Sequence, residues 1–550
     1  MFDFTIKLLN STEKCFIDEK LDSKNAISHL TMLKNERLSF QLAYRYADPT
    51  KTHYPIGKLR IEGELKSKLT FARIEQVPVT VPTYSTVRDD DYLRREPGLY
   101  PDLLIPDSEE LTVITGMSQL RSWLFTVEDE NGIDAGEYEL TFTVTIGEAV
   151  RSASLKITVI DAMLPEQTLI HTQWFHCDCI ASYYNCEIFS ERHWELMGNF
   201  MEAAVRCGVN MILTPVVTPP LDTAIGGERP TVQLVDITFD NGKYSFGYER
   251  LDRFVALALS KGIKYFEISH LFTQWGAKYA PKVMATVDGE YKRIFGWDTD
   301  GTGEEYIAFI RVFLTELIAH LKELGIDKKC HFHISDEPSV DHLEGYMKAK
   351  AVVSDILDGY VLMDALSHYE FYENGAVEHP IPGNNYIEPF IENNVPDLWT
   401  YYCCGQNTDV SNRFIAMPGH RTRVLGAQLF KYNIVGFLQW GFNFWYSRFS
   451  TRLIDPYSDT CGDYFVPGGD AFSVYPAPDG KARYTLHSVH FYEALQDMRA
   501  LQLLESKIGH DAVVALIEET AGMTVDFKNY PRTKTFVHEL REKINAAIVK

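Results

Sequence analysis

The chain changes its hydrophobic rhythm once, near Pro165, and that change limits what it can fold into. Before it, apolar and polar residues alternate in short runs; after it, unbroken apolar runs are separated by stretches of helical spacing. The apolar runs are 171–175, 209–214, 264–269, 330–335, 361–366, 376–380, 398–403 and 435–440, eight in all. Continuous apolar runs of this length suit strands buried on both faces, and eight of them alternating with helices close a barrel. Segments 194–207, 248–261, 306–324 and 412–432 have the apolar spacing of the intervening helices.

Ahead of Pro165 the pattern is that of half-buried strands, predicted at 2–9, 38–46, 59–65, 69–81, 119–128, 137–146 and 153–160. Tyr138-Glu139-Leu140-Thr141-Phe142-Thr143-Val144 alternates most cleanly, and Asn131-Gly132 and Ala135-Gly136 supply turns. Seven strands with short connections predict a sandwich. Beyond Tyr484 the chain reads as helix. Phe536, Val537, Leu540, Ile544 and Ile548 share one helical face, which predicts a tail packed on the barrel. The expected fold is therefore multidomain, β plus α/β: an N-terminal β-sandwich over 1–163, a (β/α)8 TIM-type barrel over 164–505 and a C-terminal helical extension over 506–550.

Charge narrows the partners. Asp and Glu number 76 against 53 Lys and Arg, a formal charge of -23, with no basic patch to offset it. Such a field repels polyphosphates, so nucleic acid is not an expected partner. The opening MFDFTIKLLNSTEK lacks the pattern of a secretion signal, and no later segment reaches eighteen consecutive apolar residues, so no membrane span is expected. The nine cysteines are unevenly placed, and neither Cys177/Cys179/Cys186 nor Cys403/Cys404 has zinc-ligand spacing. Reduced thiols, a cytoplasmic location and no metal or other cofactor are the expectation.

Active sites of such barrels lie at the C-terminal strand ends. Those ends carry Trp174, His176 and Asp178; His270; Asp336 and Glu337; Asp364; Tyr401 and Tyr402; and Trp440 and Asn443. This aromatic and acidic ring suits a sugar, whose hydroxyls need carboxylates and amides and whose apolar face needs indoles. Trp445 is a further candidate floor, and Gln274-Trp275 opens a long loop, to about Trp297, that could close over a substrate. Of the neighbouring tyrosines one must face the cavity and the other the core, and Tyr402 is the expected cavity residue.

The most informative stretch is His331-Phe332-His333-Ile334-Ser335-Asp336-Glu337-Pro338. Asp-Glu-Pro alone could merely cap the next helix. After a buried barrel strand, adjacent acids instead raise one another's pKa, so one keeps its proton while its neighbour is ionised. Neighbouring residues cannot flank a scissile bond as acid and nucleophile usually do. They suit a reaction in which the substrate's own 2-acetamido oxygen attacks the anomeric carbon, with Asp336 accepting the acetamido N–H and Glu337 serving as general acid and base.

The chain resembles glycoside hydrolase family 123, the β-N-acetylgalactosaminidases with a DUF4091-type barrel. Ser335-Asp336-Glu337-Pro338 carries the resemblance most specifically. Glu36-Arg37-Leu38-Ser39-Phe40-Gln41-Leu42, Pro97-Gly98-Leu99-Tyr100-Pro101-Asp102, Ala135-Gly136-Glu137-Tyr138, Trp174-Phe175-His176-Cys177-Asp178, Trp399-Thr400-Tyr401-Tyr402 and Gly436-Phe437-Leu438-Gln439-Trp440-Gly441 extend it over most of the length. The resemblance implies a sandwich followed by a barrel, no metal, and the Asp336/Glu337 pair working by substrate assistance. It implies an oligosaccharide or glycoconjugate substrate ending in β-linked N-acetylgalactosamine. Trp174, His176, His270, Trp275, Asp364, Tyr402, Trp440 and Asn443 are the expected sugar contacts. A double-displacement glycosidase with Glu337 as acid/base, or a non-catalytic sugar-binding protein, are the alternatives.

Overall fold

The computed structural model describes residues 3–47, 56–107, 112–114 and 118–549; Phe2, at the start of the first predicted strand, lies outside them. Two five-stranded sheets form the N-terminal region. One orders Asp3–Asn10, Leu38–Ala47, Leu120–Val127, Leu69–Val79 and Gly98–Pro106, all antiparallel. The other orders His29–Leu33, Ala149–Ile160, Gly136–Ile146, Ile56–Glu62 and Thr112–Ile114. The alternation works as expected: Leu140, Phe142, Val144 and Ile146 are buried along Gly136–Ile146. Phe142 meets Phe125 and Phe40 of the facing sheet, with ring centroids 4.9 and 5.7 Å apart. Each such buried ring contributes about 1.5–3 kcal/mol.

Three strands escaped the pattern. His29–Leu33 pairs in parallel at an edge, and Thr112–Ile114 is only three residues long. Gly98–Pro106 contains Pro101 and Pro106, which a sheet tolerates because this strand too is an edge.

The second region is a nearly closed parallel barrel. Its strands are Ile170–Gln173, Met211–Thr214, Tyr265–Ile268, Cys330–Phe332, Val361–Leu366, His379–Pro382, Trp399–Tyr401 and Gly436–Gln439, neighbours in space as in sequence, with the last paired to the first. Between the sixth and seventh, contact runs through the Gly383–Tyr401 bridge and the Asn384 N–H on the Tyr401 carbonyl, 2.9 Å. The predicted sixth strand is displaced, because Ala376 and Val377 donate their N–H groups to Phe371 and finish the preceding helical turn. The fourth is short, because the N–H groups of Ile334 and Ser335 leave the ladder for the Asp364 carboxylate.

Glu191–Arg206 is capped by the Ser190 hydroxyl, and Glu249–Lys261 ends on Gly262 in the left-handed region. Glu304–Glu323 is the third predicted helix. The fourth is not continuous. Residues 412–414 have no regular structure, a turn over 415–417 is closed by the Met417 N–H on the Phe414 carbonyl, Pro418 opens the short helix Gly419–Arg423, and Leu425–Lys431 follows. Asn412 and Arg413 are spent on tying strand ends together, through bonds from Asn412 to the Cys403 carbonyl and from Arg413 to Gln173 and Gln439. The predicted loop after Gln274 is no free flap: it holds the hairpin Val283–Val287/Glu290–Phe295, joined to Asp236–Asp240/Lys243–Gly247 in a four-stranded sheet.

The C-terminal part contains Leu486–Ile508, His510–Ala521 and Phe536–Ile548. The predicted apolar face of the last helix is buried. This helix joins both regions, because Arg541 reaches Asp497 at 2.9 Å and Glu36 of the sheets at 2.6 Å. The end of Leu69–Val79 and the chain after it also cross over: Pro78, Val81, Tyr84, Tyr92 and Leu93 bond to Thr460, Gly468, Phe465, Asn407 and Ala416. Among the described residues no helix is long and apolar enough to cross a membrane, and the nine cysteines are free thiols.

Candidate active site

The strand-end acids do not cap a helix. Ser339 takes that part, in a reciprocal pair with His342, which leaves Asp336 and Glu337 free for the cavity. Glu337 has φ 43°, a left-handed conformation unfavourable for a residue with a Cβ, which turns its side chain toward the barrel mouth. A cavity of about 410 Å³ opens there, lined by both acids and by Trp174, Asp222, Gln274, Trp275, Tyr401, Cys403, Cys404, Trp440, Arg448, Phe449 and Phe465.

Each acid is held by neutral donors, the Cys403 thiol standing 4.0 Å from Glu337 Oε1 among them. The Gln274 amide donates to Asp336 Oδ2 at 2.7 Å, and its own oxygen accepts the Asp222 N–H at 2.6 Å. The Tyr401 hydroxyl donates to Glu337 Oε1 at 2.8 Å. Burial, and then the charge of Glu337, holds Asp336 well above the usual carboxylate range. Burial raises Glu337 as well, against the Tyr401 bond. Burial also pushes Asp222 up to about 7, with Arg229 opposing and Glu337 and Asp470 assisting. The pair therefore retains a proton that free carboxyls would have lost near neutrality, and its titration belongs to both residues together.

A buried charge lies beneath. The His333 ring sits between Asp364 Oδ1, 3.0 Å, and Glu267 Oε1, 2.8 Å. Although burial disfavours its charge, these two carboxylates raise its pKa to about 10. Glu267 also accepts the Trp174 indole at 2.8 Å and the Thr172 hydroxyl, and Asp364 accepts the Tyr346 hydroxyl. The wall indole Trp174 is thus fixed by the group that holds the imidazolium. His270 stacks on His333 at 4.3 Å, and burial keeps it neutral. His270, His333 and Asp364 are the one cluster of candidate metal ligands among the described residues. Its shared His333 already has both ring nitrogens engaged.

Of the residues singled out in the sequence, Trp174, Trp275, Trp440, Asp336 and Glu337 line the cavity. Five expected sugar contacts do not. Tyr402 is replaced by Tyr401: its ring packs on Phe437 and Phe491, outside the strand. Asp364 is turned inward to His333, and His270 lies below Trp174. The Asn443 side-chain amide accepts the His176 N–H at 2.9 Å and donates to the His176 carbonyl at 3.1 Å, and the His176 ring bonds the Trp440 carbonyl and Arg229. Asp178 pairs with Arg229 at 2.7 Å, and buried Trp445 donates to the Val474 carbonyl. Asp222, Arg448, Phe449 and Phe465 went unnoticed, since they lie on irregular loops with no periodic signal; Asp222 is eight residues beyond its strand.

The model of the glycoside hydrolase 123 catalytic domain matches residues 174–504. A family 123 glycoside hydrolase from Clostridium perfringens, solved in work on glycolipid glycan hydrolysis, is similar in structure. Its TM-score is 0.75 over 100% of this chain and 98% of that one, at 14% identity. A β-glucuronidase from Parabacteroides merdae covers 90% of this chain and 51% of its own at 10% identity, with a TM-score of only 0.30. No curated protein matches the sequence.

Proposed function

Because the chain belongs to glycoside hydrolase family 123, we propose that it is a retaining exo-β-N-acetylgalactosaminidase working by substrate assistance. The observation that carries this reading is the pair itself: two consecutive carboxyls facing one cavity, each raised and each held by separate neutral donors.

The terminal sugar enters with its apolar face toward Trp174 and Trp440. Its acetamido N–H donates to Asp336 and so favours the ionised form there, which leaves the shared proton on Glu337. The acetamido carbonyl oxygen attacks the anomeric carbon as the bond to the leaving oxygen breaks, and Glu337 protonates that oxygen. Asp336 faces the positive oxazolinium that results. Water then attacks the same carbon from the side of Glu337, which takes its proton. Two inversions retain the configuration, and the acids return to their starting state. Tyr401 orients Glu337 throughout.

Asp222 supports a second reading, double displacement, because it is a third carboxyl on the cavity. A pKa near 7 leaves it largely protonated below neutrality, a poor state for a nucleophile. The test is hydrolysis of aryl β-N-acetylgalactosaminide, β-N-acetylglucosaminide and β-galactoside by the wild type, Asp336→Asn, Glu337→Gln and Asp222→Asn. Turnover confined to acetamido sugars, with losses of about 10²–10⁴-fold in the first two variants, is expected. Cleavage of the plain galactoside, or loss with Asp222→Asn alone, would replace substrate assistance with double displacement.

A further inference from the structure

The inner cavity is acidic, but its outer wall carries one cation. Arg448 is exposed to solvent yet lines the same cavity as buried Asp336. Among the described residues no carboxylate pairs with it, although acids outnumber basic residues 76 to 53 in the chain. The next arginine of its loop, Arg452, pairs with Asp463 at 2.8 Å. Arg448 is nonetheless positioned: its guanidinium lies 4.7 Å from the Phe449 ring centroid and 5.9 Å from that of Phe465.

The backbone around it is held as firmly. Phe449 and Ser450 have φ of 57° and 56°, conformations that persist only where the surroundings enforce them. Ser447 and Thr451 hydroxyls bond at 2.8 Å, and the Ser450 hydroxyl donates to the Asp222 carbonyl at 2.8 Å. Trp275, 37% exposed, sets its ring edge-on to Phe449 with centroids 6.1 Å apart. An indole beside a guanidinium with free N–H donors is therefore fixed at the mouth, where the part of the substrate that leaves must lie.

We propose that this outer wall is a subsite for an anionic leaving group, in which Arg448 binds a carboxylate or sulfate on the sugar next to the cleaved residue. The inference rests on the exo-glycosidase reading above. A neutral neighbour would need no free cation, whereas an anionic one is repelled by the ionised member of the Asp336/Glu337 pair unless a cation offsets it. The planar guanidinium suits either anion by paired N–H bonds, and Trp275 offers the face against which the same sugar stacks.

The test compares three disaccharides, each with β-N-acetylgalactosamine joined to a uronic acid, a sulfated hexose or a neutral hexose, beside the aryl glycoside. A charge-assisted contact predicts kcat/KM about tenfold higher for one or both anionic disaccharides than for the neutral one, carried by KM. Which anion gains identifies the source of the charge. In Arg448→Gln the anionic-to-neutral ratio should fall to about one, and Arg448→Lys should restore part of it. A neutral disaccharide cleaved best by the wild type, or a ratio unchanged in Arg448→Gln, would overturn the proposal while aryl glycoside turnover left the enzymatic reading standing. If the aryl glycoside is not cleaved, calorimetric binding to Glu337→Gln reads the same contrast, and absence of any binding removes both readings.

Discussion

His333 should make the barrel lose stability between pH 7 and 10. Its ring is protonated between Glu267 and Asp364, with the pKa raised from 6.5 to about 10. The folded state therefore holds a proton that the unfolded chain releases near its ordinary value. The stabilisation is complete below about 6.5 and is lost as pH rises through about 10. At about 1.4 kcal/mol per pH unit the interval corresponds to a ceiling of about 5 kcal/mol. Water entry into the deprotonated site would reduce this to about 2–5 kcal/mol. Calorimetry of the wild type from pH 6.5 to 10 should show the barrel transition fall by about 5–15 °C. His333→Gln should melt lower at pH 7, because two buried carboxylates lose their cation, and its Tm should then change much less with pH. Exposed lysines and tyrosines titrate alike in both proteins and cancel in the comparison. Parallel curves would refute the assignment of the charge to His333.

Tyr401→Phe removes the hydroxyl that favours ionised Glu337, so the alkaline limb of kcat/KM against pH should move up by about one unit while kcat falls. Tyr402→Phe removes a hydroxyl without a bonding partner among rings and should change Tm and activity little, by about 0.5 kcal/mol or less. Arg413→Met deprives Gln173, Ser473, Gln439 and the carbonyls of Gly441 and Asp470 of their donor; a loss of about 3–5 kcal/mol should appear in denaturant unfolding. Gly436→Ala would set a methyl 1.9 Å from the Trp399 ring, and the last two barrel strands should separate, read as a lower Tm and poor soluble yield.

The legible parts of this chain were those with a period. The barrel strands announced themselves because both faces are apolar, and the acid pair because it follows a buried strand directly. What stayed hidden was irregular. Tyr402 was expected on the cavity and Tyr401 lies there instead, because the face of a three-residue strand depends on register, here fixed by Trp399↔Gly436 and Tyr401↔Leu438. His176, His270 and Asp364 have residue types that often touch substrates, yet His176 and Asp364 are bonded to groups from distant strands or loops and His270 is buried between the Trp174 and His333 rings. Asp222 and Arg448 reach the cavity only through bonds such as Ser450 to the Asp222 carbonyl, which join segments more than 200 residues apart.

The segment after Leu69–Val79 binds the loops that carry Phe465, Asn407 and Ala416, and so steadies the cavity's outer wall from outside the barrel. Those contacts join residues far apart in the order of synthesis. The barrel can therefore acquire its strands on its own schedule, but its mouth is finished only when the N-terminal sheets are already in place to receive it. A chimera joining these barrel residues to a foreign sandwich would keep the acids and lose the bonds that support the wall facing them.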